Sequence, residues 1–210
     1  MKHYRHVDEL QRAFQERKGS IRRRLKEYAA IPQEQYFYEL VYCLMTPQSS
    51  AVNAGKAQQK FETLGLREHD IDPEPVLFTK EHYIRFHRSK ARWIREMKEH
   101  YPEIERMTIG PLSAFEKREW FVRNVKGLSY KESSHFLRNI GKNDGLTILD
   151  RHILKNLKYF GIIRSIPKTL TKKYYLSIEK KFTLFAAETG ISVDELDLLF
   201  WSNETGEILK

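Results

Sequence analysis

The sequence predicts an all-α protein, a compact helical chain of two lobes with a cleft between them. Three observations carry that prediction. Apolar residues recur three and four positions apart along most of the chain. No segment alternates apolar and polar residues long enough to make a strand. Residues that start and stop helices stand where the apolar stripes begin and end. About ten helices are expected, with no Gly/Ser-rich linker and no internal repeat to divide them.

The elements follow in order. Val7, Leu10 and Phe14 share a helical face, and Ile21 and Leu25 resume it after Gly19. Phe37, Leu40, Val41, Leu44 and Met45 form an apolar stripe that ends near Pro47. A helix over about 50–64 stops at Gly65, where a C-terminal cap is expected. The stretch 70–81 carries two prolines and reads as a loop or 3₁₀ connection. Ala91, Ile94 and Met97 mark another helix, closed by Pro102. Stripes over 115–122, 130–140, 153–160, 174–185 and 193–201 complete the set.

Composition narrows the function. Hydrophobic residues make up 40% and aromatic residues 12%, enough for a packed core. Thirty-seven basic residues against 28 acidic ones leave a formal charge of +9, which points to a polyanion, nucleic acid before a membrane surface. A basic protein without such a partner stays open on charge alone. Cys43 is the only cysteine, so an intrachain disulfide and a multi-cysteine zinc or iron–sulfur site are excluded. It lies in the apolar run YFYELVYCLM and is expected to be a buried thiol. The polar start and the lack of any apolar run near 20 residues predict an intracellular protein.

The chemistry concentrates in RNVKGLSYKESSHFLRNIG and the following KNDGLTILDRHIL. Ser129 and Glu132 spell a capping box, and Gly127 permits a tight reversal before it, which gives a helix, a short hairpin and a second helix. Amides at such a turn can bind phosphate. Lys131 then occupies the second helical position, where the helix end disfavours an ammonium and favours an amine nucleophile. Asp150 precedes the apolar helical run of Ile153, Leu154, Leu157 and Phe160, and so reads as an N-cap. An ionised carboxylate there can also stabilise positive charge developing on a sugar. On these residues alone, a solvated lysine and a purely structural cap remain open.

The hairpin motif VKGLSYKESSHFLRNIG and the aspartate motif LTILDRHILKNL resemble the helix-hairpin-helix DNA glycosylases that carry a Gly/Pro-rich loop and a catalytic aspartate. Within that superfamily the sequence is similar to the second, compact archaeal and bacterial class of 8-oxoguanine DNA glycosylases. The resemblance implies one domain over residues 1–210, with the hairpin at about 115–140 and the aspartate loop at about 141–152. It implies a glycosylase and AP lyase acting on double-stranded DNA containing 8-oxoguanine, as a nucleoid-associated monomer, with no metal or other cofactor.

Lys131 matches the class's catalytic lysine and Asp150 its catalytic aspartate. Gln48 in TPQSS matches the residue that fills the gap left by a flipped base. Phe86 and Trp201 match the base-stacking aromatics, and the α-carboxylate of Lys210 the group that accepts from the guanine edge. Lys126, Gly127, Ser129 and Lys142 fall where the backbone is held. The basic stretches 17–26, 85–95 and 168–175 could also neutralise phosphate, but for any one of them an ordinary solvated helix face is the favoured reading. Ser129 stands where the class has a hairpin glycine, which bears on phosphate binding at that amide. Two other functions stay open: a glycosylase/lyase for another oxidised base, and a non-catalytic helix-hairpin-helix DNA-binding module.

Overall fold

The protein is described here by a computed structural model that covers residues 4–206. Eleven α-helices and one 3₁₀ turn account for its regular structure, and no strand occurs among the described residues. The chain divides into two compact units, one formed by 1–30 with 141–210 and the other by 31–140. No helix among the described residues is long and apolar enough to cross a membrane.

In the first unit, α1 spans Val7–Ala29 as one helix. It carries both apolar stripes through Gly19 without a break. That glycine is exposed, and its helix cost of about 1 kcal/mol is outweighed by burial of Phe14 and Ile21 on either side. The unit resumes after the second with α9 (Arg151–Tyr159), α10 (Lys172–Thr189) and α11 (Val193–Thr205). Helix α11 packs on α1, α9 and α10. Its Phe200 is fully buried and stacks on Phe160 at 5.3 Å and on Phe182 at 5.9 Å. Arg22 on α1 donates to Glu195 on α11 at 2.7 Å and closes the same interface.

The second unit is built around α2 (Tyr36–Met45), in which all ten residues are buried, Cys43 among them. It packs against α3 (Ala51–Leu64), α5 (His87–Glu99) and α8 (Tyr130–Asn139). A helix hydrophobic on every side must be enclosed in this way. Its one buried charge, Glu39, accepts from Gln58 at 3.2 Å and Asn139 at 3.0 Å, which ties α3 and α8 to it. The proline-bearing connection holds a short helix, α4 (Pro73–Leu77), that the periodicity did not predict. Asp72 caps it through Glu74 N–H at 3.1 Å, and Pro73 suits its first position. Pro102 does not merely end a helix. It sits at the start of α6 (Tyr101–Ile109), directly after α5. Helix α7 (Ala114–Asn124) opens on a Ser113–Glu116 capping box and leads into the hairpin before α8.

Candidate active site

The hairpin is a tight turn over 125–128, closed by Leu128 N–H donating to Val125 C=O at 3.2 Å. Val125 and Leu128 are buried and anchor both ends. Gly127 has φ 90°, and a Cβ there would lie 2.6 Å from Trp93 Cε3 and 3.0 Å from Leu44 Cδ2. Glycine is therefore required twice, by conformation and by close approach. Lys126 beside it is exposed and pairs with Glu96 at 3.1 Å, a surface contact weak enough to exchange for a phosphate.

Ser129 caps α8. Its N–H donates to Glu132 Oε2 at 3.1 Å, and its hydroxyl donates to the same oxygen. Both Ser129 donors are thus engaged within the capping box. Lys131 is the second residue of α8, with its side chain about one-quarter exposed and its Nζ 3.0 Å from Glu132 Oε1. Burial alone would raise the Glu132 carboxyl. The Lys131 charge and the Ser129 hydroxyl outweigh it and hold Glu132 below its usual range.

A second lysine lies near Lys131. Lys90 on α5 is 1% exposed, and its Nζ donates to Met45 C=O at 2.6 Å, Pro47 C=O at 2.7 Å and Ser49 Oγ at 3.1 Å. Burial, reinforced by the Lys131 charge and partly offset by Glu132, lowers its pKa to about 8. The basic stretch 85–95 therefore contains one ammonium that is buried and held by backbone carbonyls, unlike the solvated face favoured from sequence.

Gln48 and Phe86 belong to the same unit. Gln48 is exposed at φ 55°, the third residue of a turn closed by Ser49 N–H donating to Thr46 C=O at 3.0 Å. Proline second and positive φ third is the type II pattern, which ordinarily takes glycine or asparagine at the third position. Phe86 caps α5 at φ 60° and is 49% exposed, with the Arg85 guanidinium 5.0 Å from its ring centre. It is no core residue.

Asp150 lies in the first unit and caps α9. Its Oδ1 accepts from Ile153 N–H at 2.8 Å, and its Oδ2 from Trp201 Nε1–H at 2.9 Å. The structure thus joins two residues chosen separately from sequence. The Trp201 indole also lies 4.9 Å from the His152 ring, whose Nδ1 is 3.7 Å from Glu204.

The loop before Asp150 is fixed by α10. Tyr175 hydroxyl donates to Thr147 C=O at 2.6 Å and accepts from Leu149 N–H at 3.3 Å. Glu179, one turn on, accepts from Thr147 N–H and Oγ1–H at 3.0 Å each. Tyr175 is 2% exposed, so the stretch 168–175 does not serve only as a basic surface. Neither Tyr175 nor Glu179 was singled out from sequence, although their spacing of four places them on one helical face. Gly141 begins this loop at φ 67° against Ala29 Cα, and Lys142 follows, half-buried. Lys210 lies outside the described residues.

The structure therefore shows a lysine at one helix start, ion-paired with Glu132, and a carboxylate at another, held by two donors. Comparisons with known proteins identify the family. A family model described as 8-oxoguanine DNA glycosylase matches residues 21–191. A Fusobacterium nucleatum protein named 8-oxoguanine DNA glycosylase/AP lyase is 38% identical over the full length of both chains. The crystal structure of Methanocaldococcus jannaschii 8-oxoguanine DNA glycosylase covers 100% of both chains, with a TM-score of 0.86 and 32% identity. A second structure from that organism, in complex with a 15mer DNA containing 8-oxoguanine, gives a TM-score of 0.84 at 32% identity, covering 96% of this chain and 99% of that one.

Proposed function

The chain belongs to the 8-oxoguanine DNA glycosylase family, and on that premise we propose that it excises 8-oxoguanine from double-stranded DNA and then cuts the strand, with Lys131 as nucleophile and Asp150 as its electrostatic partner. The observation that carries the assignment of roles is the pair of held groups. Lys131 stands at the second position of a capped helix, and both Asp150 oxygens are aimed by Ile153 and Trp201.

The steps follow from that chemistry. The lesion leaves the stack, since its glycosidic bond is unreachable inside a duplex. Once the Lys131 ammonium has lost a proton to solvent, its Nζ bonds to C1′ as the C1′–N9 bond breaks, and the departing base takes up the proton that the resulting secondary ammonium gives up. The Asp150 carboxylate opposes the positive charge that grows on the sugar. Ring opening then gives an imine between Nζ and C1′. Loss of a C2′ proton expels the 3′ phosphate by β-elimination, and hydrolysis frees the lysine.

In this reading Gln48 fills the vacated space, Phe86 and Trp201 stack on bases, and Lys126, Gly127, Ser129 and Lys142 hold the backbone. The protein acts as an intracellular, nucleoid-associated monomer without metal or other cofactor. The test is single-turnover base release and strand cutting on duplexes carrying 8-oxoguanine, an oxidised pyrimidine, an abasic site or no lesion. Release confined to 8-oxoguanine supports the reading. Preferential release of the pyrimidine would move the protein to another substrate, and binding without any release would make it a DNA anchor.

A further inference from the structure

Gln48 and Phe86 share a feature that their proposed roles alone do not explain. Both are non-glycine residues at positive φ, 55° and 60°, and both are exposed. Backbones seldom stay in that region unless their surroundings hold them there.

Lys90 supplies the hold. Its ammonium has three hydrogens, and Met45 C=O, Pro47 C=O and Ser49 Oγ accept them at 2.6, 2.7 and 3.1 Å. These acceptors, at 45, 47 and 49, bracket Gln48 on both sides. Ser49 Oγ also accepts from Arg85 N–H at 3.0 Å, the residue before Phe86. Lys90 N–H donates to Phe86 C=O at 3.0 Å, closing the first turn of α5. One buried side chain therefore binds the 46–49 turn and, through a single hydroxyl, the entry to α5. A methionine of similar length would bury at less cost but would leave three oxygens without their donor.

We propose that Lys90 is a positioning residue for lesion extrusion, its buried ammonium clamping the Gln48 turn and the Phe86 entry so that both side chains stay poised to enter the base stack. This rests on the extrusion roles assigned above to Gln48 and Phe86. The lowered pKa of Lys90, about 8, fits a charge kept out of water for the sake of its three acceptors.

The experiment compares wild type, Lys90→Met and the milder Ser49→Ala. Each is given 8-oxoguanine opposite cytosine, and 8-oxoguanine opposite an abasic site, where no partner base must be given up. Hydrogen exchange of the free proteins is followed alongside. Lys90→Met should slow release from the paired lesion about tenfold or more, and from the unpaired lesion by less than about threefold, because only the first adds the cost of unpairing to that of unstacking. Ser49→Ala should shift both in the same direction by less. Amides over 46–49 and at 85 should exchange faster, while α8 keeps its protection.

Equal losses on the two duplexes, or an unchanged paired rate, would overturn the extrusion role. Unchanged exchange in a folded Lys90→Met would overturn the clamp itself. If Lys90→Met does not fold, Ser49→Ala decides by the same duplex ratio. A wild type that releases no base from either duplex would instead refute the glycosylase reading, and the extrusion role with it, while the exchange data would still decide the clamp.

Discussion

Replacing Asp150 by asparagine separates the two things that Asp150 does. As a cap, its Oδ1 accepts from Ile153 N–H at 2.8 Å, and as a carboxylate its Oδ2 accepts from Trp201 Nε1–H at 2.9 Å. Asparagine has one oxygen, so it keeps one contact and turns an NH₂ toward the other donor. The cap alone is worth about 1 kcal/mol, and asparagine retains it well when its oxygen faces Ile153. The lost hydrogen bond to a charged group is worth about 1.5–3 kcal/mol, with the lower end expected because Asp150 is half-buried. The fold should therefore lose about 1–2 kcal/mol, or roughly 2–8 °C in Tm at this chain length.

The rate should suffer far more. A unit charge about 4 Å from a developing cation is worth about 4 kcal/mol at an effective dielectric of 20, or roughly a thousandfold in rate. Urea denaturation and single-turnover excision, both at 25 °C on the same preparation, measure the two effects. Asp150→Ser, which caps well without charge, should behave like asparagine in the excision assay. Excision that falls tenfold or less in both variants, in step with stability, would refute the electrostatic role and leave Asp150 as a cap.

The other predictions concern the turns and the buried carboxylate. Gly127→Ala forces a side chain into φ 90° and a Cβ to 2.6 Å from Trp93, so it should cost about 2–3 kcal/mol in urea denaturation. A loss under about 0.5 kcal/mol would contradict the hairpin packing. Gln48→Gly removes left-handed strain at the third turn position, so stability should stay within about 1 kcal/mol of wild type. Excision of a paired lesion should fall clearly in the same variant, and an unchanged rate would remove Gln48 from the mechanism. Glu132 is held below the ordinary glutamate range, so its stabilising contribution is complete above that range and is lost as pH falls through the depressed value. Glu132→Gln should therefore be less stable than wild type at pH 7, with the gap narrowing toward pH 3 in urea titrations. A gap that widens in acid would reverse the sign of that coupling.

Much of the fold was legible because its helices announce themselves locally. The α2 stripe, the Gly65 stop, the Ser129–Glu132 box and the Asp150 cap each stand within a few residues of the feature they specify. Less legible were what packing settles and an element too short to carry a stripe. The stripes either side of Gly19 form one helix, held by burial of Phe14 and Ile21 that no local window shows. The short α4 escaped notice because five residues hold too few apolar positions for a periodic signal, although Asp72-Pro73 was a legible start.

The site divides in the same way. Lys131 and Asp150 stood out through their helix positions and through the resemblance, whereas Tyr175 and Glu179 act through hydrogen bonds to residues 26 to 32 positions away. Lys90 was hidden in a basic stretch, where charge suggests solvent and nothing local marks one lysine as buried. The left-handed Gln48 had a signal in Pro47, which favours the second position of a turn.

The central claim is that the Lys131 amine forms a covalent bond with the sugar of an 8-oxoguanine nucleotide. Borohydride reduction during reaction, on a duplex with one such lesion beside undamaged and abasic duplexes, tests it most directly. A reduced protein–DNA adduct is expected on the lesion and abasic duplexes and none on undamaged DNA. Lys131→Gln should lose the adduct while still binding the duplex. An adduct that persists in Lys131→Gln would assign the nucleophile to another residue, and no adduct from a wild type that releases the base would replace lysine attack with direct hydrolysis.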